Sequence, residues 1–237
     1  MRETPGMPAP HEGGVLFLGK ADREESACAK AFMEANFADV SVLDAVIGDD
    51  YFSGTGWWDD WSGDYIVSYL SPLIVPERLL QRANVAAVNF HPAPPEFRGV
   101  APASFALYEG ATEYGVTCHH MAPRVDWGEL IEVRRFPVLE TDSVESLLTR
   151  AHARLLEMFR EIMSGVAAGE ALPSAEGVWR EHLYTRAEID ALCKLEVDMS
   201  EIEVARRIRA TTYPGMPGAY VQMWGRRFTF GEVNRRG

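Results

Sequence analysis

The 237-residue sequence predicts an α/β protein: a mostly parallel sheet with helices on both faces, followed by a small C-terminal α+β appendage containing a hairpin. Three observations carry this. Short, nearly continuous apolar runs such as VLFLG, YIVSYL and VAAVNF have the length and uninterrupted character of strands buried on both faces. Helix-like segments fall between them, and beyond residue 174 the pattern changes to short capped helices and a last pair of strands.

Val15 to Gly19 reads as the first buried strand, and a helix-like stretch from Asp22 to Asn36 completes a βα unit. A second apolar run, Val40 to Val46, gives way to a Gly-, Asp- and Trp-rich loop, YFSGTGWWDDWSGD. Tyr65 to Leu70 and Val85 to Phe90 supply two more strands, joined by a short helix or turn in PLIVPERLLQ. GVTCHHM and LIEVRRFPV flank the turn-like APRVDWGE as a hairpin-like arm at the end of the sheet. Asp142 with Glu145 reads as a capping box opening a long helix, whose apolar face runs from Val144 through Leu155 to Ile162. Two further boxes, Thr185 with Glu188 and Ser200 with Glu203, start short helices; AYVQMW and RRFTF then form a hairpin about Gly225. The expected division is a loose tail over 1–14, a catalytic domain over 15–174 and a small C-terminal domain over 175–237.

Composition narrows function. Lys+Arg 23 against Asp+Glu 35 gives a net charge of −12, which works against binding nucleic-acid phosphates or anionic membrane lipid. Three scattered cysteines without a C-x-x-C favour neither a disulfide framework nor a zinc site, and fit the reducing cytoplasm. The first fourteen residues lack the apolar core of a signal peptide, and no run approaches the roughly 20 apolar residues of a spanning helix. A soluble, cytoplasmic chain is expected.

Several familiar motifs fail. GVLFLGKA lacks both the terminal Ser or Thr and the Gly-rich cradle of a phosphate loop, and no G-x-G-x-x-G follows the first strand. Cys118, His119 and His120 invite a metal, yet strand alternation turns His119 away from the other two and leaves two ligands. No metal is expected.

The informative segment is VNFHPAPPEFRG. In an extended chain Asn89 and His91 share one side while Phe90 turns to the other, into the core. Pro92 ends the strand, which places the pair at the carboxyl edge of the sheet, where open α/β folds bind ligands. An amide donor beside an imidazole suits a developing oxyanion, and Asp126 in RVDWG could add a carboxylate to collect a proton. Taken singly, Asn-x-His at a strand end is more often a satisfied turn or cap than a catalytic pair, and Asp126 before Trp-Gly more often a turn residue.

In order, NFHPAPPEFRG, GVTCHHM and VDWG resemble the signature of the folate-dependent formyltransferase family, with a looser echo in RIRATTYPGMPGAY. That resemblance implies a Rossmann-like catalytic domain and assigns catalysis to Asn89, His91 and Asp126, acting on the formyl group of 10-formyltetrahydrofolate as cosubstrate. It implies that the pterin end of the carrier lies against the backbone of Val67, Ser68, Tyr69 and Leu70 and against the loop of Ala122, Pro123, Arg124 and Val125 up to Asp126. The loop carrying Pro94, Arg98 and Gly99 would form the substrate side. Two departures stand out: HPAPPEFRG where many members have H-P-S-L-L-P, and VDWG for D-T-G, so that Trp127 either packs on the carrier or fills a core.

The C-terminal residues bear on the acceptor. Their extent resembles the tail of sugar N-formyltransferases, which implies a dTDP- or GDP-linked amino-deoxy sugar and a homodimer. Other small amines, among them glycinamide ribonucleotide and natural-product precursors, are alternatives, as is hydrolysis of the formyl-folate. Arg206, Arg207, Arg209, Arg226 and Arg227 form either a patch for the diphosphate or a solvated, internally paired face.

Overall fold

A computed structural model describes residues 11–48 and 50–230. The chain forms two compact units. One comprises the residues up to Pro92, Val116–Arg134 and His152–Val178; the other comprises Ala93–Gly115, Arg135–Ala151 and the residues from Trp179 on. The units interleave along the sequence.

The main sheet has six strands, β1 (His11–Lys20), β2 (Phe37–Ala45), β3 (Gly63–Tyr69), β4 (Ala83–His91), β6 (Glu113–His120) and β7 (Leu130–Pro137), in the order β2-β1-β3-β4-β6-β7. β1, β2, β3 and β4 are mutually parallel, and β6 runs antiparallel to β4. The mixed α/β class is therefore as the sequence predicts. The first strand starts at His11, so the expected tail does not extend through residue 14; its remaining part, 1–10, lies outside the described residues.

Both faces of this sheet are covered, which explains the continuous apolar runs. On one face Phe17, Tyr69 and Phe90 meet Phe159 of the long helix α4 (Val144–Ala167), with Phe90 and Phe159 edge to face at a 4.9 Å centroid separation. On the other, Leu16, Leu18, Leu43 and Ile66 pack with Val75 and Leu79, the latter on the short helix α2 (Glu77–Leu80). Tyr51, Phe52, Trp58 and Trp61 from the Trp-rich segment lie against the same cluster, so that segment is partly core; Trp57–Asp59 forms one turn of 3-10 helix. The helix after β1, α1 (Glu24–Asn36), falls where the sequence predicts it.

In the second unit the sequence reading missed α3 (Pro102–Glu109). Its signals were present: Pro102 in the first turn and Gly110 just past the end with φ 72°. The helices α5 (Arg186–Cys193) and α6 (Glu201–Thr211) begin at the expected caps, Thr185 and Ser200. Thr185 and Glu188 form a full box; at Ser200 only the forward bond to Glu203 N–H is made, at 3.2 Å, because the Glu203 carboxylate receives Tyr108 Oη and Arg207 instead. The expected box at Asp142 and Glu145 is corrected to Ser143 and Ser146, whose hydroxyls each accept the other's backbone N–H. Asp142 is engaged by Leu139 N–H, Ser146 Oγ and Arg150. Two two-residue strands, β5 (Arg98–Gly99) and β8 (Leu183–Tyr184), pair in parallel, and β9 (Lys194–Leu195), β10 (Tyr220–Met223) and β11 (Arg226–Thr229) form a three-stranded sheet that contains the predicted hairpin.

Among the described residues no helix is long and apolar enough to cross a membrane.

Candidate active site

β4 ends at His91, immediately before Pro92. Phe90 is buried against Phe159, so alternation along the strand turns Asn89 and His91 to the opposite face. The antiparallel register with β6 sets Asn89 opposite His119 and His91 opposite Thr117, which puts a second imidazole on the same face. Nδ2 of Asn89 lies 3.1 Å from Nε2 of His119.

The loop after β6 brings in the carboxylate. Met121 N–H donates to Ala87 O at 2.7 Å and His120 N–H to Glu129 O at 2.8 Å, which fastens both ends of the loop beside the sheet. Gly128 makes the approach possible, since a Cβ there would fall 1.8 Å from His120 O. Within this turn Asp126 adopts φ 47°, a left-handed conformation that Asp tolerates better than most residues. Its side chain is buried while Val125 before it is exposed. The same oxygen, Oδ1, stands 3.9 Å from His91 Nδ1 and 3.7 Å from His119 Nε2. Asn89, His91, His119 and Asp126 thus form one cluster at the carboxyl end of β4. His119 was read only as a failed metal ligand. The signal for it lay in the pairing of two strands, which period-two alternation along a single strand does not reveal.

This cluster offers an amide donor, two imidazoles and a carboxylate in a protected setting, the inventory of general acid–base chemistry at a carbonyl carbon. Nearby groups are less suited. Burial pushes the Cys118 thiol well up, away from the thiolate form, and also lowers the His120 pKa, an effect that Glu129 opposes. Among the described residues no group of three or more His, Cys, Asp or Glu is arranged to hold a metal ion.

The residues expected at the carrier fare differently. Val67, Ser68 and Tyr69 are buried within β3, and the Tyr69 ring packs 5.0 Å from that of Phe159, so their side chains belong to the interior. Leu70 ends the strand with φ 54°, leaving backbone rather than side chains as what this stretch offers. Ala122 is half-buried, and Pro123, Arg124 and Val125 are exposed. The Arg124 guanidinium stacks 3.7 Å above the Trp127 ring, so one face of this half-buried indole is covered by a cation of its own loop.

The expected substrate loop lies in the second unit. Arg98 is fully buried, and its Nη1 donates to the carbonyls of Arg180 and Glu181, so it holds backbone together. Gly99 has φ 87°, and a Cβ would lie 2.4 Å from Tyr184 O; its role is the close pairing of β5 with β8. Pro94 is buried, its carbonyl accepting Phe97 N–H. Three of the late arginines are likewise occupied: Arg206 and Arg207 by Glu203, and Arg209 by the carbonyls of Asp142 and Leu139. Arg227 stacks 3.6 Å over the Tyr220 ring.

Fold and cluster together give an α/β protein with an amide, two imidazoles and a carboxylate gathered at the carboxyl edge of its sheet. Residues 58–162 match the family described as formyl transferase. Among its relatives, GDP-perosamine N-formyltransferase of Brucella melitensis is 29% identical over 164 residues, covering 69% of this chain and 62% of that protein. Methionyl-tRNA formyltransferase of Latilactobacillus sakei is 33% identical over 109 residues, covering 46% of this chain and 34% of that one. The chain therefore spans less than two thirds of the length of either. A sugar N-formyltransferase from Shewanella sp FDAARGOS_354 shares the fold, with a TM-score of 0.75 and 17% identity over 92% of this chain and 96% of that one. So does an N-formyltransferase from Helicobacter canadensis, solved with folinic acid and dTDP-3-aminofucose, with a TM-score of 0.65 and 17% identity over 83% and 79%.

Proposed function

We propose that this protein transfers the formyl group of 10-formyltetrahydrofolate to the amine of a dTDP- or GDP-linked amino-deoxy sugar. The observation that carries the reading is the convergence of Asn89, His91 and Asp126 on one face at the end of β4. The amine nitrogen attacks the formyl carbon; Asn89 N–H and the His91 imidazolium face the oxyanion, and the proton lost by the amine passes to Asp126. Collapse of the tetrahedral intermediate breaks the bond to N10 of the folate, which leaves with a proton as tetrahydrofolate. The formamide of the sugar is the other product.

For the acceptor, support comes from the extent of the match: the GDP-perosamine enzyme aligns with 69% of the chain, the methionyl-tRNA enzyme with 46%. A net charge of −12 also weighs against a tRNA substrate. In this reading 15–174 carries catalysis and 175–237 serves assembly as a homodimer, paired through the apolar groups Trp224, Phe228 and Phe230 that the hairpin region exposes. The reaction belongs in the cytoplasm, where three free cysteines stay reduced. Incubation with 10-formyltetrahydrofolate and a panel of dTDP- and GDP-linked amino sugars tests it: tetrahydrofolate and a formylated sugar should appear together. Transfer confined to glycinamide ribonucleotide, or release of free formate, would falsify the acceptor class.

A further inference from the structure

The geometry points to His119 as a positioning residue that fixes the orientation of the Asn89 amide. The inference rests on the formyl-transfer reading above for its kinetic consequence, although the geometry stands alone. Nδ1 of His119 lies 2.7 Å from the carbonyl oxygen of His120. A carbonyl only accepts, so Nδ1 carries a proton and donates it. In the neutral ring Nε2 is then the acceptor, and 3.1 Å away stands Nδ2 of Asn89. The amide therefore turns its NH2 group, not its oxygen, toward β6. One of the two N–H bonds goes to His119, and the second is held in a fixed direction as the donor for the oxyanion.

Polar and charged groups face this ring from β4 and from the loop after β6. Asn89 and His91 face it from β4 and Asp126 from the loop, with Asp126 Oδ1 3.7 Å from Nε2; His120 follows it on β6. Protonation at Nε2 would oppose its N–H to the Asn89 N–H, and the amide would have to turn over to present its oxygen. The donor would then point elsewhere. His119 thus acts through Asn89 and does not touch the reacting atoms.

Three variants separate this role from packing. His119→Gln keeps an acceptor at the ε position; His119→Asn can keep the bond to His120 O but has no atom at that position; His119→Leu removes both. Relative to wild type, kcat should fall by about 100-fold in Leu and Asn, the scale of one lost oxyanion donor. KM for both substrates should stay within about threefold, and Gln should recover most of kcat. In a double-mutant cycle with Asn89→Ala, His119→Leu should cost nothing further. Independent multiplication of the two losses, or a Gln variant as slow as Leu, overturns the proposal. A readout that needs no activity is the nitrogen chemical shifts of the His119 ring in labelled wild-type protein: protonated Nδ1 and bare Nε2 are expected, and any other pattern overturns the assignment. Should the enzyme formylate nothing while the tautomer is as expected, it is the functional reading that fails.

Discussion

His91 and Asp126, 35 positions apart in the sequence, stand 3.9 Å from one another, Nδ1 to Oδ1, with both side chains nine-tenths buried. A buried carboxylate facing an imidazole costs desolvation on both sides. Here it is supported by a turn that places Asp126 in a left-handed conformation and presses Gly128 against the end of β6.

Removing any one of the three groups should slow transfer without unfolding the protein. Asn89→Ala, His91→Ala and Asp126→Ala should each lower kcat by about 100- to 10,000-fold, the range for a lost donor or proton-transfer group. Thermal midpoints should stay within a few degrees of wild type, because none of the three fills the apolar core. Initial rates beside a thermal melt check this, and His91→Ala at full speed removes the imidazole from the mechanism.

Gly128→Ala should act at a distance. The added methyl cannot sit 1.8 Å from His120 O, so the loop must move and carry Asp126 away from both imidazoles. A displacement of about 1 Å at a reacting group costs about 100-fold in rate. The expected pattern is a kcat loss of that size; kcat equal to wild type would show that the loop does not set Asp126.

Arg98→Met should be a stability variant and not a binding variant. It strips a fully buried guanidinium from the carbonyls of Arg180 and Glu181 and leaves buried acceptors without it, at a cost of about 2–4 kcal/mol. Urea unfolding should show the loss, with KM for either substrate unchanged under conditions where the variant is folded. A raised KM for the sugar nucleotide with normal stability would restore Arg98 to the substrate side.

Glu203 gives a pH signature in the second unit. Hydrogen bonds from Arg207 and Arg206, and one from Tyr108, hold its carboxyl down at about 2 against an ordinary 4.5. A depressed acid stabilises the fold above its unfolded pKa, and that contribution is lost as pH falls from about 4.5 toward 2. Denaturation at stepped pH should therefore show a shallower acid loss in Glu203→Gln than in wild type. Identical slopes would mean that the cluster contributes nothing in that window.

Much of the architecture could be read from local pattern, because the buried strands and α4 each declare themselves within one segment. Asn89 and His91 were legible for the same reason: Pro92 marks the strand end and Phe90 divides the faces. What escaped depended on partners distant in sequence. His119 joins the cluster only through its register opposite Asn89, 30 residues away, and the burial of Arg98 depends on carbonyls 82 and 83 residues downstream. For the late arginines the sequence left open a diphosphate patch or an internally paired face; Arg206, Arg207 and Arg209 are occupied by acceptors within the fold.

The most direct test follows an isotope-labelled formyl group. Labelled 10-formyltetrahydrofolate is mixed with excess enzyme and a dTDP- or GDP-linked amino sugar in a single turnover, with wild type and His91→Ala side by side. The label should move onto the sugar amine in step with tetrahydrofolate release in wild type, and stay on the folate in the variant. Label that remains on the folate in both, or reaches water as formate in wild type, contradicts the account.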